Sequence, residues 1–409
     1  MKLFLIYAML GAKSLKVGKM QIQTVLGEFT EKFLAEYWQK KPLLIRSAFP
    51  GGLDALDPDT LAGMACQDGI DSRLVVEHGD RPWQTRQGPF EESVFEKLPE
   101  TNWTLLVQAV DRAIPEVSMI RESFQFIPNW RLDDIMISYA VDQGSVGPHT
   151  DNYDVFLIQG MGKRRWQFGE SAIPDPKFID GLDMKILETF QVDHDFVLGP
   201  GDMLYLPPLV AHHGVAQGEC ITYSVGFRAP TQNELLVSYS QFLLQSENPD
   251  SFYHDDPKAP RDLKETLSDP GLIADHDLER LRSLMIESLR DDRIFRRWVG
   301  AFLTEPRSFH EASDEPIDAD GLREVLEEEE FIYKVEGSRF AYHRLGSEIF
   351  LAVEGETLVL PLRLLDLVKM FCAEEEIPVS VVAKFKDEIG FQDLLIHLWN
   401  QGFLRRDYE

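Results

Sequence analysis

Apolar and polar positions near the beginning of the chain predict two short helices with a strand between them. Apolar residues recur at helical spacing between Phe33 and Trp38, and Pro42 then ends the helix. The helix ends there because the residue before a proline, here Lys41, disfavours the helical region. The apolar run LLI that follows begins an extended segment. The stretch from Asp57 to Gln67 predicts a second short helix.

The pattern changes between residues 73 and 228, where short strand-like runs follow one another and helices are scarce. Glycine and proline separate these runs. The runs are RLVVEH, WTLLVQAV, DDIMISYAV, YDVFLIQG, RRWQFG, MKILETFQV, DFVLGPGDMLYLPP and CITYSVGFRAP. Many short strands in succession predict a barrel or sandwich, such as a double-stranded β-helix jelly roll.

Helical spacing returns between residues 229 and 306, in NELLVSYSQFLLQ and LERLRSLMIESLRDDRIFRRWVGAFL. A loop between the two segments is indicated by prolines at 249, 257 and 260. Amphipathic helices added to a strand core predict an oligomerisation module, and a helical lid on the same domain is the alternative.

The last hundred residues are typical of a separate small α+β unit. Arg339 to Leu360 predicts a hairpin, and RLLDLVKMFC and FQDLLIHLWNQGFLRR predict helices, a combination that favours a winged-helix shape. Such folds often bind DNA, but the acidic runs Glu327–Glu330 and Glu374–Glu376 would repel a phosphate backbone. A role in protein contact or structure is favoured. The predicted domains are therefore 20–228, 229–306 and 307–409.

The net charge narrows the range of partners. Forty-one basic and 69 acidic residues give a formal net charge of -28, which argues against binding to nucleic acid or to an anionic membrane surface. A basic partner would suit this surface, although many soluble proteins are simply acidic.

Cysteine usage and the amino terminus bear on the compartment. Cys66, Cys220 and Cys372 are widely spaced and form no CxxC pair, which favours a reducing compartment such as the cytoplasm. LFLIYAMLGA has the outline of a signal peptide, but its flanks are poor, so Met20 is the expected working start. No other run approaches the length of a membrane span.

A candidate metal site begins in the stretch GPHTDNYDVF. His149 and Asp151 stand two residues apart at the head of a strand, so both side chains would project from one face. Two histidines and one carboxylate on one face are the ligand set of non-haem Fe(II) oxygenases. The second histidine is expected at His212 or His213, which follow LGPGDMLYLPPLVA.

Other readings of these ligands stay open. The HxD pattern alone is weak, because His254-x-Asp256 matches it in a proline-rich loop. A zinc site with the same three ligands is conceivable, although HExxH is absent, since Asp314 follows His310-Glu311 where a histidine should stand.

The strongest signal is a resemblance carried by several motifs together. GPHTDNYDVFLIQGMGKRRWQFG, LGPGDMLYLPPLVAHHGVA and YSVGFRAP resemble the JmjC-type bacterial ribosomal oxygenases of the cupin superfamily, and FLAEYWQKKPLLIRSAFP resembles their amino-terminal segment. The resemblance implies an α+β fold in which a JmjC double-stranded β-helix precedes a helical dimerisation region and a winged-helix-like domain. It is dense from about residue 30 to residue 230 and looser beyond.

The resemblance also implies the site. Its iron ligands fall on His149, Asp151 and His212, and no catalytic residue outside this metal site is assigned. The cosubstrates are 2-oxoglutarate and O2. The resemblance selects Arg164, from the run Lys163-Arg164-Arg165 after the turn Gly160-Met161-Gly162, for the far carboxylate of 2-oxoglutarate.

Further implied contacts are less specific. Trp166 would lie on the same side as Arg164, and Arg165 would face outward as a solvated charge. Ser138 and Thr222 match further cosubstrate positions, although both are also ordinary strand hydroxyls. An arginine substrate would need carboxylates or aromatic faces, and Asp142, Tyr153 and Asp154 are candidates by position.

The implied function is hydroxylation of an arginine in a basic large-subunit ribosomal protein by a cytoplasmic homodimer that binds neither nucleic acid nor membrane. Two alternatives remain at this stage. One is the same chemistry on a histidine or on another basic protein. The other is a non-catalytic cupin-like binding or scaffold protein.

Overall fold

The computed structural model describes residues 25–78, 81–246, 252–254, 267–269, 271–306, 312–313 and 315–406. It also gives the backbone of three short strands, β1 (Ile6–Tyr7), β2 (Leu15–Val17) and β3 (Met20–Ile22). The predicted loop at Pro249, Pro257 and Pro260 lies outside these residues, as does Asp256 of the second HxD pattern.

One large sheet dominates residues 43–227, as the succession of strand-like runs predicted. Its strands lie in the order β1-β4-β11-β9-β12-β8-β7-β5-β6, and β10 pairs with β9. Beyond β1, these strands are β4 (Leu43–Arg46), β5 (Ser72–His78), β6 (Arg81–Gln87), β7 (Trp103–Val107), β8 (Leu132–Ala140), β9 (Val155–Ala172), β10 (His194–Leu198), β11 (Met203–Leu206) and β12 (Val210–Phe227).

Short helices cover one side of this sheet. They are α1 (Thr30–Glu36), α2 (Pro58–Met64) and α3 (Pro115–Ser118). The fully buried ring of Phe33 on α1 lies 4.9 Å from the ring of Tyr205 and 5.6 Å from that of Phe156, centroid to centroid. Such edge-to-face and tilted aromatic contacts add to the burial that holds the helix on the sheet. Both short helices predicted before residue 67 are therefore confirmed.

The predicted turn at Gly160-Met161-Gly162 is wrong, because β9 runs through it without a break. Gly162 has φ +66, and a Cβ there would lie 1.9 Å from the carbonyl oxygen of Glu219, so only glycine fits this position. The pairing of β9 with β12 shifts register between Gln217 and Thr222. Glycine therefore bends the strand pair at this point and does not end it.

The strand predicted for MKILETFQV is also wrong. Residues 173–193 form a connection between β9 and β10 that contains only an isolated bridge, between Phe178 and Leu187. Its apolar residues Ile186 and Leu187 are fully buried, and the Leu187 N–H donates to the Pro148 carbonyl at 2.8 Å. The apolar residues that suggested a strand are buried because they hold this loop against the backbone next to His149.

The helical region and the carboxy-terminal domain follow in the predicted order. Their helices are α4 (Gln232–Gln245), α5 (Asp275–Ser288), α6 (Asp292–Thr304), α7 (Ala319–Glu328), α8 (Leu365–Ala373), α9 (Val379–Val382) and α10 (Phe391–Asn400). Their strands are β13 (Phe331–Lys334), β14 (Phe340–Leu345), β15 (Glu348–Val353), β16 (Glu356–Pro361), β17 (Glu376–Pro378) and β18 (Leu404–Arg405).

The hairpin predicted over Arg339 to Leu360 proves to be three strands, β14-β15-β16. A second small sheet has the order β17-β13-β18. Helix α6 packs on β15 so closely that a Cβ on Gly300 would lie 3.0 Å from that of Ala352. None of the helices in the described ranges is long and apolar enough to cross a lipid bilayer.

Buried charges join the carboxy-terminal domain to the large sheet. Arg339, 5% exposed, donates from Nη2 to both the carboxylate and the carbonyl of Asp133 on β8, each at 2.7 Å. Its Nη1 donates to the Glu305 carbonyl at 2.7 Å. A second pair, Arg112 with Glu354 at 2.6 Å, bridges the same boundary. The domain is therefore fixed against the strand that also carries Ser138.

Candidate metal centre

Three side chains of metal-binding type converge at the entrance to β9. His149 and Asp151 lie just before this strand, and His212 lies on β12. His149 and His212 form a β-bridge in which each backbone N–H donates to the other's carbonyl at 3.0 Å. One ligand atom of each of the three residues lies within 4.8 Å of the others, and His212 Nε2 is 3.5 Å from Asp151 Oδ2.

The second nitrogen of each imidazole is engaged by the backbone. His149 Nδ1 lies 2.9 Å from the Gly147 carbonyl oxygen, and His212 Nδ1 lies 3.0 Å from that of Val210. A carbonyl only accepts, so both Nδ1 atoms carry the proton, which leaves the Nε2 lone pairs free. Metal-binding histidines are commonly oriented in this way.

Burial keeps His212 neutral. Desolvation, with the neighbouring His149 adding to it, lowers the pKa of His212 from 6.5 to about 4. The neutral form is the one that binds a metal ion. At neutral pH this imidazole is therefore ready to donate its lone pair.

His213, the neighbour left open by the sequence, points elsewhere. Its Nε2 lies 3.0 Å from the hydroxyl of Ser145. It does not belong to the cluster formed by His149, Asp151 and His212. The alternation of side chains along β12 separates the two histidines.

The opposite end of the same cavity, whose volume is about 370 Å³, holds a buried arginine. Arg164 is 2% exposed, and its terminal nitrogens form two long, weak hydrogen bonds. Nη1 donates to Ser138 Oγ at 3.4 Å, and Nη2 donates to the Gly214 carbonyl at 3.3 Å. Its Nε and the Nε1 of Trp166 are buried without a hydrogen-bond partner. Buried donors left unsatisfied are costly, so these groups fit a ligand that supplies acceptors.

The orientation expected along Lys163-Arg164-Arg165 is found. Trp166 lies on the side of Arg164, whose guanidinium carbon is 5.2 Å from the indole ring centroid. Arg165 faces solvent and pairs with Asp195. A Cβ on Gly214 would lie 2.7 Å from Arg164 Nε, so glycine at that position leaves room for the guanidinium.

Ser138 and Thr222 are register partners on β8 and β12, and both line the cavity. The Thr222 hydroxyl donates to Oε1 of Gln159 at 3.3 Å. Gln159 is fully buried, and its Nε2 donates to the carbonyls of Met161 and Ile221. Sequence reasoning missed Gln159, although an amide inside the apolar run FLIQG was a usable signal.

The three positional candidates for substrate contact have different roles. Asp154 is fully buried and accepts hydrogen bonds from Tyr205 Oη at 2.6 Å and Gln39 Nε2 at 3.0 Å, so its role is structural. Asp142 accepts from the Gly218 N–H at 2.8 Å and does not line the metal cavity. Tyr153, 40% exposed, does line it.

The donor set fits Fe(II) with 2-oxoglutarate. Two imidazole nitrogens and a carboxylate oxygen on one face leave coordination positions for a bidentate 2-oxo acid. The guanidinium at the far end of the cavity, with long hydrogen bonds at its terminal nitrogens and none at Nε, is complementary to a second carboxylate.

Comparisons with known proteins agree with this geometry. Residues 119–235 match the JmjC domain, and residues 285–405 match the ROXA-like winged helix. These matches confirm the predicted order of a jelly roll and a winged-helix domain. The domain boundaries at 228 and 306 stay predictions.

Two curated relatives cover most of the chain. The ribosomal protein uL16 3-hydroxylase of Escherichia coli (strain K12) is 36% identical over 340 residues, which are 81% of this chain and 86% of that protein. A probable ribosomal oxygenase of Haemophilus influenzae is 36% identical over 311 residues, 73% of this chain and 74% of that protein.

Solved structures extend the likeness to the whole fold. The X-ray structure of E. coli YcfD superposes with a TM-score of 0.84 at 33% identity and covers 94% of this chain and 100% of that one. The structure of YcfD, a ribosomal oxygenase, with cobalt and 2-oxoglutarate gives a TM-score of 0.80 at 33% identity over 92% of this chain and 97% of that one. The chain therefore belongs to the JmjC-type bacterial ribosomal oxygenases.

Proposed function

We propose that this protein hydroxylates an arginine side chain of a large-subunit ribosomal protein, the counterpart of uL16, with Fe(II), 2-oxoglutarate and O2. Its family makes it a 2-oxoglutarate-dependent dioxygenase. The observation that carries the proposal is a single cavity with the cluster of His149, Asp151 and His212 at one end and the unsatisfied Arg164 at the other.

The metal ion is assigned to His149 Nε2, His212 Nε2 and the Asp151 carboxylate. The backbone carbonyls on the two Nδ1 atoms hold both rings with their lone pairs inward, so little reorganisation is needed when the ion binds. Bound Fe(II) supplies the oxygen-activating redox chemistry that an unactivated C–H bond requires.

The cosubstrate is assigned to the other end of the cavity. Arg164 would hold the far carboxylate of 2-oxoglutarate with charge-assisted hydrogen bonds, and the indole ring of Trp166, 5.2 Å from the guanidinium carbon, packs beside it. Ser138 and Thr222 lie opposite each other on adjacent strands, and we assign further hydroxyl contacts to them. Burial lowers the pKa of Arg164, and an incoming carboxylate offsets that cost of desolvation.

The substrate is assigned from charge and shape. The net charge of -28 favours encounter with a basic ribosomal protein and opposes direct contact with RNA or DNA. At the cavity mouth, the half-exposed ring of Tyr153 offers a face on which a guanidinium can stack. Such a substrate places the enzyme in the cytoplasm.

A homodimer is part of this proposal. Helices α4 and α5 expose large apolar side chains, including Leu244 at 87% and Met285 at 74%. Exposed apolar surface of this kind is typical of a protein–protein interface. A second copy of the chain, packed helix against helix, would cover it.

Mass spectrometry of ribosomal proteins tests the proposal. Cells with and without the gene are compared, and the deletion is complemented by the wild-type gene or by His149→Ala. We expect one added oxygen on an arginine of uL16 only with the wild-type gene. An added oxygen on a histidine would establish the same chemistry on another residue. Identical masses in all strains would contradict the proposed function.

A further inference from the structure

A second cleft opens beside the metal cavity, between the large sheet and the helical region. We call it the lateral cleft; its volume is about 780 Å³, and its walls come from β8, β12, α4 and the end of α6. It shares Thr150, Asp151 and Tyr153 with the metal cavity. Anything held in the lateral cleft therefore adjoins the reacting centre.

Helix α4 turns one of its faces toward this cleft. Asn233, Val237 and Gln241 stand at i, i+4 and i+8, and all three are exposed and line the cleft. Leu236 and Leu244, also exposed, do not line it. The helix thus has two exposed faces, of which the second is available for the proposed dimer.

The cleft is acidic and partly apolar. The exposed carboxylates of Glu234 and Glu305 line it. Asp133 and Asp151 line it too, but Asp133 is buried and paired with Arg339, and Asp151 is assigned to the metal ion. Arg228 is the one cation in the lining among the described residues. The exposed side chain of Val237 and the half-buried ring of Phe302 add apolar surface. This combination is complementary to a basic, extended peptide with occasional apolar side chains.

The walls of the cleft are held in place by internal contacts. Arg228 donates from Nη1 to the carbonyls of Phe302 and Leu303 at 3.0 and 2.7 Å, and its Nε lies 3.6 Å from the carboxylate of Asp133. The Glu305 backbone is fixed by Arg339, while its side chain remains exposed. The cleft is therefore a preformed surface, which reduces the entropic cost of binding.

We infer that the lateral cleft binds the polypeptide segment that flanks the target residue, so that the helical region reads the sequence around the modified arginine. This inference rests on the proposed function, and it names the surface that recognises the basic substrate. Residues that occupy the cleft then lower KM for the arginine that they flank. The helical region would serve recognition as well as dimerisation.

The test compares two synthetic peptides of uL16, a long one and a short one that keeps only the residues next to the arginine. Glu305→Lys introduces a cation in the cleft, and Glu170→Lys, at an exposed position outside both cavities, is the matched control. We expect Glu305→Lys to raise KM for the long peptide about fivefold and to leave KM for the short peptide and for 2-oxoglutarate unchanged. The control should behave as wild type.

A photochemical experiment does not depend on that variant. Gln241 is replaced by p-benzoylphenylalanine in the full chain and irradiated with the long peptide. A covalent adduct with the peptide supports the inference. An adduct with a second copy of the chain, or equal KM values for wild type and Glu305→Lys, overturns it. If wild type itself leaves both peptides unmodified, the proposed function fails instead.

Discussion

Two arginines of this protein are almost equally buried, and each has an Nε without a hydrogen-bond partner, but the acceptors around their terminal nitrogens differ. Arg339, at the boundary between the sheet and the carboxy-terminal domain, meets a carboxylate and two backbone carbonyls at 2.7 Å. Arg164, inside the cavity, forms no ion pair with any residue in the described ranges, and its two hydrogen bonds are 3.3 and 3.4 Å long. A buried cation needs compensation. The carboxylate of Asp133 compensates the charge of Arg339, whereas the charge of Arg164 is left to be compensated by a bound ligand.

This contrast separates a structural charge from a functional one without reference to any relative. Both side chains would look alike in a list of buried polar residues. The difference lies in whether the acceptors around the guanidinium belong to the chain. We expect the two to respond oppositely to mutation and to the cosubstrate.

The largest effect on stability is expected for Arg339→Met. The change removes the nearest cation from the buried Asp133 carboxylate, whose ion pair with Arg228 is longer, at 3.6 Å. We expect a loss of about 3 kcal/mol in the free energy of unfolding. Urea denaturation followed by circular dichroism measures it.

The control for that measurement is Arg293→Met, which removes a solvent-exposed pair with Glu348. Solvent screens such a pair, so its loss should cost much less stability than the loss of Arg339. If both variants lost the same free energy of unfolding, the buried pair Arg339–Asp133 would not stabilise the protein more than an exposed pair does.

A kinetic effect is expected for Arg164→Met. Loss of the charge-assisted hydrogen bonds should raise KM for 2-oxoglutarate roughly ten- to hundredfold, since each bond to a charged group contributes about 1.5–3 kcal/mol. Removal of an uncompensated buried cation should leave the metal-free protein as stable as wild type or more stable. Steady-state assays with varied 2-oxoglutarate measure KM.

Arg165→Met is the matched control, because Arg165 is the exposed neighbour on the same strand. Its KM for 2-oxoglutarate should equal that of wild type. If Arg165→Met and Arg164→Met raised KM for 2-oxoglutarate equally, the claim that only the inward-facing arginine binds the cosubstrate would be contradicted.

A smaller effect is expected with pH. Burial lowers the pKa values of His212 and His213 from 6.5 to about 4. Between these values the unfolded chain binds protons that the native chain does not, so stability is full above about pH 6.5 and falls as the pH drops toward 4. Metal-free protein should therefore unfold more easily at pH 5 than at pH 7.

The variant His213→Gln sharpens this prediction, because it removes one titrating group and keeps a polar partner for Ser145. Its loss of stability between pH 7 and pH 5, measured by urea denaturation, should be smaller than that of wild type. A loss of the same size would show that His213 does not contribute.

Much of the fold followed from local pattern. Short apolar runs between glycines and prolines predicted most strands of the large sheet, and helical spacing predicted α4, α5, α6, α8 and α10. Errors came where tertiary contacts decide. A glycine with positive φ bends β9 instead of ending it, and Ile186 is buried as a loop anchor beside Gly147.

For the site, the spacing of His149 and Asp151 predicted a shared face, but no local pattern brings β12 to that face. The return of His212 depends on pairing across more than sixty residues, which only the fold, or a resemblance to a known fold, supplies. The role of Asp154 was out of reach for the same reason, because its partner Tyr205 is remote in sequence.

The central claim is that His149, Asp151 and His212 together hold the iron that 2-oxoglutarate turnover requires. The most direct measurement is Fe(II)-dependent conversion of 2-oxoglutarate to succinate by purified wild type and His149→Ala, after both are shown to have the same thermal unfolding temperature. We predict turnover by wild type only with Fe(II) and none by His149→Ala. Turnover by the variant at the wild-type rate would contradict the assignment.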